Sequence, residues 1–121
     1  MTKELMDKSR KALVSAKMLL DSGDADGAVS RAYYAMFDAA RAALGGDGNA
    51  KSHAGLIGAF GLHLVKPGKF PAEQGRALNR VQELRSVADY LASPVPLDRA
   101  AEAVADAEAF VAAVRDFLKK G

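Results

Sequence analysis

Cysteine and tryptophan are absent from the 121 residues, and histidine occurs only at His53 and His63. Without cysteine there is neither a disulfide nor a thiolate metal site, which suits a reducing compartment. Two histidines on one short segment, with no carboxylate on the same helical face, do not make a zinc site. No metal or other cofactor is therefore expected. No run of about 18 apolar residues occurs, so no membrane span is expected. The opening residues, MTKELMDKSRKALVSAK, are broken by charges and lack the apolar run and cleavage site of a signal peptide. The expected location is the cytoplasm. An excess of one charge is missing too: 17 Lys and Arg stand against 15 Asp and Glu, net +2. That is too little for a blanket attraction to nucleic acid, so any RNA contact must be local. Gly45, Gly46 and Gly48 follow no strand and precede no Gly-Lys-Ser/Thr, which excludes a phosphate-binding P-loop.

What is present is alanine, in a chain that is 50% hydrophobic. This composition favours helices packed closely over short side chains, and the length suits one domain spanning residues 1–121. Residues 2–22 carry Leu5, Ser9, Ala12, Leu13, Ala16, Leu19 and Leu20 at helical spacing, and Gly23 is the stop. Asp24 or Asp26 is placed to cap the next helix, about 25–45. There Ala28, Ala32, Ala35, Ala39 and Ala42 form a ridge of small residues that lets another helix approach nearly to backbone contact. Tyr33 and Tyr34 point about a hundred degrees apart on this helix, so at least one hydroxyl must find a partner or reach water.

A shorter helix is expected over 52–65, with Gly55, Gly58 and Gly61 allowing close packing at some cost in stability. Lys51, Ser52 and His53 stand at its start, where the partial positive charge suits an anion. Lys66-Pro67-Gly68-Lys69 reads as a turn, Pro71 opens a fourth helix that stops at Ser93-Pro94, and Pro96 opens a fifth. Five amphipathic helices joined by short loops, with no alternating strand pattern, predict an all-α, up-and-down antiparallel bundle.

The fourth helix holds the most informative stretch, Gln74 to Leu91. Ala77, Val81, Leu84, Ala88 and Leu91 form its core stripe. About a hundred degrees round lies a second row of Leu78, Gln82, Arg85 and Asp89, with Tyr90 beside it. An exposed Arg-to-Asp pair at this spacing is worth only a few tenths of a kcal/mol. Stability thus explains the pair poorly if it is sheltered, and a groove or subunit interface is the alternative to an ordinary solvated pair.

SRAYYAMFDAARAAL, KSHAGLIGAF, KPGKFPAEQGRALNRVQELRSVADYL and DRAAEAVADAEAFVAAVRDFL resemble, in this order and spacing, the small stand-alone prokaryotic HEPN-domain proteins. The branch resembled has an AYYAMF-type second helix and an R-x-x-A-D-Y signature. The resemblance implies a four-helix core plus a short helix, dimerising through its signature helices. It also implies a metal-independent ribonuclease, often a toxin paired with a minimal nucleotidyltransferase antitoxin. In such proteins an Arg is followed after four to six residues by a His, duplicated across the dimer to form one RNA-cleaving groove.

Arg85 matches that Arg, but Tyr90, Leu91 and Ala92 follow in place of the His, and none titrates near neutral pH. Arg85, Asp89 and Tyr90 are thus the candidate catalytic residues, with Arg85 contacting phosphate and Asp89 orienting it. Tyr34, Arg31, Lys51 and His53 are candidates for binding, and His53 is the one imidazole the fold could bring to Arg85. Two further readings stand beside a toxin-like protein that cleaves or binds RNA. One is a HEPN module that binds a nucleotidyltransferase or a nucleotide and cuts nothing; the other is a plain helical assembly protein.

Overall fold

Alanine-rich amphipathic segments fold as the periodicity demands in a computed structural model that describes residues 1–48 and 52–120. Its five helices are α1 (Thr2–Asp21), α2 (Ala25–Leu44), α3 (His53–Phe60), α4 (Ala72–Tyr90) and α5 (Leu97–Lys120), and no strand occurs among the described residues. The chain is an all-α bundle. Among the described residues no helix is long and apolar enough to cross a membrane.

α2 is central and packs against α1, α3, α4 and α5. All five alanines of its ridge are buried, and the fit to α1 is close enough that the Ser9 hydroxyl donates to the Ala35 carbonyl at 2.6 Å. The α1–α2 joint closes as its residues require. Gly23 adopts φ +87°, its N–H reaches the Leu20 carbonyl and Asp24 N–H reaches Leu19, which satisfies the orphan carbonyls of the helix end. The Asp24 carboxylate then accepts from Gly27 N–H at 2.9 Å and caps α2. Asp26, the other candidate cap, instead accepts from Val95 N–H at 2.8 Å. It ties the α4–α5 connection to the start of α2.

Phe60, Phe70, Phe110 and Phe117 form a chain of ring contacts that closes one end of the core, with centroids 4.8–5.3 Å apart. α5 presents Ala100, Ala103, Val104, Ala107, Phe110, Val111 and Val114 to the interior.

Three expectations are corrected. The segment 52–65 is not one α-helix: it is α3 followed by a π-helical turn, Gly61–Val65. Gly58 and Gly61 do not serve close packing, because a Cβ built on either meets nothing within 4 Å. In α4, Leu78 lies in the core at 0% exposure, whereas Leu91 is 60% exposed. The helix stops at Tyr90, and Leu91 turns extended at φ −90°, ψ 144°, as the chain leaves toward Val95 and its Asp26 tether.

Candidate functional site

The polar flanks of α2 and α4 meet at the N-terminus of α3. Tyr33, Tyr34 and Phe37 stand on adjacent turns of α2, so their rings form one aromatic wall. α3 begins with Ser52 as its cap, the side chain accepting from Gly55 N–H at 2.9 Å. This fixes His53 as the first helical residue and lays its imidazole on that wall.

Three rings of that wall touch the imidazole. It stacks on Phe37 with centroids 4.5 Å apart and planes 26° from parallel, and on Tyr33 at 5.4 Å and 21°. Tyr34 meets it edge-on at 6.0 Å. The Tyr33 hydroxyl and His53 Nδ1 lie 2.6 Å apart. The Tyr33 side chain is wholly buried, and burial pushes its phenol up to about 12 against the lowering pull of Arg85. It therefore stays protonated. His53 is held below the usual imidazole value, by burial first and by the Arg85 cation second, so the ring is neutral at physiological pH.

Arg85 reaches the same wall from α4. Its guanidinium carbon lies 4.7 Å from the Tyr33 ring centre and 5.8 Å from that of Tyr34. Gln82 accepts from its Nε at 3.2 Å and Asp89 from an Nη at 3.3 Å. Arg85 is sheltered, its side chain 19% exposed, while that of Asp89 is 58% exposed. The pair is thus half-sheltered. The Arg31 guanidinium lies 6.0 Å from the Tyr34 ring centre, so Tyr34 carries a cation within reach from each of two helices.

Of the residues singled out from sequence, Arg85, Asp89, Tyr34, Arg31 and His53 share this wall. Tyr90 stands apart as the last residue of α4, 89% exposed and without a ring contact among the described residues. Lys51 lies outside the described residues. Sequence reasoning missed Tyr33 and Phe37 as the residues that hold His53. The one signal available was the Tyr33-to-Phe37 spacing, a helical neighbour pair beside a Tyr whose hydroxyl needed a partner. Among the described residues no three His, Asp or Glu side chains gather as a metal cluster.

Chemically the wall offers two guanidinium groups, a neutral imidazole, a half-buried tyrosine ring and a carboxylate. Such a set suits an anion attached to an aromatic base.

Residues 2–117 match the family model described as the HEPN domain. The "UPF0332 protein glr0978" of Gloeobacter violaceus is 43% identical over 88 residues, which are 72% of this chain and 70% of that protein. "Putative toxin MJ0605" of Methanocaldococcus jannaschii is 35% identical over 117 residues, 96% of this chain and 87% of the relative. "Putative toxin MJ0142" of the same organism is 33% identical over 88 residues, 72% of this chain and 60% of that relative.

Proposed function

The chain belongs to the HEPN family, and on that premise we propose that it is a toxin-like RNA-directed protein that cleaves its substrate without a metal. The observation that carries this reading is the convergence of Arg85 and His53 on the same two rings, Tyr33 and Tyr34. It supplies a cation and an imidazole together, although no His follows Arg85 in the chain.

In this reading Arg85 offers a fork of N–H donors to the non-bridging oxygens of a phosphodiester, and Arg31 adds a second positive charge. Tyr34 stacks with a flanking base. The ribose 2′-oxygen attacks phosphorus and gives its proton to the Asp89 carboxylate, which is a weak base acting through position. The bond to the 5′-oxygen breaks, and the imidazolium form of His53 gives that oxygen a proton. The products are a 2′,3′-cyclic phosphate and a 5′-hydroxyl. This chemistry needs the ribose hydroxyl, so DNA is a ligand at most.

The wall of one chain is half of a larger groove in this proposal: a homodimer places two copies face to face, in the cytoplasm. A minimal nucleotidyltransferase is the proposed antitoxin partner. Tyr90 supplies an exposed hydroxyl at the rim rather than a group at the reacting phosphate.

The direct experiment incubates purified protein with RNA in EDTA, native chain against Arg85→Ala at matched dimer content. Cleavage to cyclic phosphate ends that is lost in the variant is the expected result. Salt-dependent RNA retention without cleavage would leave a toxin-like protein that binds RNA, and neither cleavage nor retention by a folded protein would favour the second reading: a HEPN module that binds a nucleotidyltransferase partner or a nucleotide and cuts nothing. The gap after Arg85, where Tyr90, Leu91 and Ala92 stand in place of a histidine, favours that alternative.

A further inference from the structure

Resting on the reading of this wall as a phosphodiester site, we propose that Tyr33 is its positioning residue. By donating its hydroxyl hydrogen to Nδ1 of His53, it keeps the imidazole proton on Nε2 and makes His53 a donor to the phosphate, never the base that takes the 2′-hydroxyl proton.

The geometry allows one assignment. Tyr33 and His53 Nδ1 are 2.6 Å apart, and among the described residues the Tyr33 hydroxyl makes no other hydrogen bond. That side chain is at 0% exposure, so water does not serve as a substitute partner. If Nδ1 carried the proton and donated to Tyr33, the phenolic hydrogen would be buried without an acceptor, at a cost of about 1–3 kcal/mol. With Tyr33 donating, both groups are satisfied. A neutral imidazole whose Nδ1 accepts must hold its proton on Nε2. A ring turned over by 180° would set its Cδ2–H against the Tyr33 hydroxyl and leave that hydroxyl without an acceptor.

The charges around the ring reinforce this. Tyr33 and Tyr34 of α2 and Arg85 of α4 face it, and Asp89 is bonded to Arg85. Arg85 opposes a second positive charge, so the neutral ring prevails until the medium is acidic. In the neutral ring Nε2 has no free lone pair and donates to a non-bridging phosphate oxygen. In acid a proton from water enters at Nδ1, the Tyr33 hydroxyl turns to accept, and Nε2 then releases its proton to the departing 5′-oxygen. In both states the substrate meets an N–H. A chain that cleaves RNA by this route works best on the acid side of neutrality, with the upper limb of the profile set by His53.

The test needs no RNA. Nitrogen-15 NMR of the His53 ring in the native, full-length protein at neutral pH is expected to show a protonated Nε2 and a bare Nδ1. A protonated Nδ1 would overturn the proposal. In Tyr33→Phe, with no hydroxyl left to donate to Nδ1, the ring is expected to become a mixture of tautomers. An unchanged tautomer in a folded variant would also overturn it. A correct tautomer in a protein that cleaves nothing sinks the nuclease reading and leaves the role of Tyr33 standing.

Discussion

The Arg85 guanidinium carbon lies 4.7 Å from the centre of the Tyr33 ring, on a side chain that has no exposed surface of its own. A cation is therefore stacked against the bundle's interior, with Gln82 and Asp89 meeting only part of its donor set. Arg85→Lys keeps the charge but loses the planar stack and the fork. We expect Arg85→Lys and Arg85→Ala both to fold, with about 0.5–2 kcal/mol lost from the cation–π contact. RNA affinity should fall for both, and for Arg85→Ala the slope of log affinity against log salt should shrink by about one phosphate contact. Fluorescence anisotropy across a salt series, beside a thermal melt, measures the two effects separately.

Asp26 reaches across 69 residues of sequence to accept the Val95 N–H at 2.8 Å. This bond ends the α4–α5 connection at a fixed place and so sets where α5 starts its descent. Asp26→Ala leaves that N–H part-buried and unpaired, a loss of about 1–3 kcal/mol. The readouts are the urea midpoint and amide exchange at Val95. A Val95 amide as protected in the variant as in the native chain would show that the bond is not what holds the connection.

Much of this fold was legible in the residues, and the reason is that the legible parts are local. Gly23 and Asp24 mark a helix boundary by their own backbone and capping chemistry, and the α2 alanine ridge announces a close neighbour by its 3.6 period. What sequence could not show is the meeting of Tyr33 with His53. The two are twenty residues apart on different helices and adjoin only because α3 docks on α2. Neither the shelter of Arg85, which the residues left open, nor the depth of Leu78 was legible. The α4 faces follow the helices packed around it, and a polar row whose first member is leucine blurs the border of the core.

Gly58 gave the opposite lesson, since a three-residue glycine repeat pointed to close packing that is absent at Gly58 and Gly61. Gly58 is exposed and a Cβ there meets no atom within 4 Å. The glycine costs helix stability without a steric return, so Gly58→Ala should stabilise the protein by about 0.5–1 kcal/mol. A rise in the denaturation midpoint at unchanged slope is the expected record. A fall would mean that the face carrying Gly58 is covered in solution, as a dimer would cover it.

Tyr33 also sets the behaviour of the fold in alkali. Its phenol ionises at about 12 in the folded protein against a value of 10.0 when free. The folded state therefore holds the proton more tightly than the unfolded chain does. The stability this represents is fully present below pH 10 and is lost as pH rises from there through about 12, where the unfolded chain has released its proton and the folded one has not. A tenfold difference in proton affinity corresponds to about 1.4 kcal/mol, so the loss approaches about 3 kcal/mol at the upper end. Tyr33→Phe has no phenol to titrate, so its unfolding free energy should decline less steeply than that of the native chain between pH 10 and 12. The two chains differ in no other ionisable group, which makes the difference between the two curves the quantity to measure. Parallel curves would mean that the hydroxyl ionises in the fold as freely as in water, which a wholly buried phenol does not do.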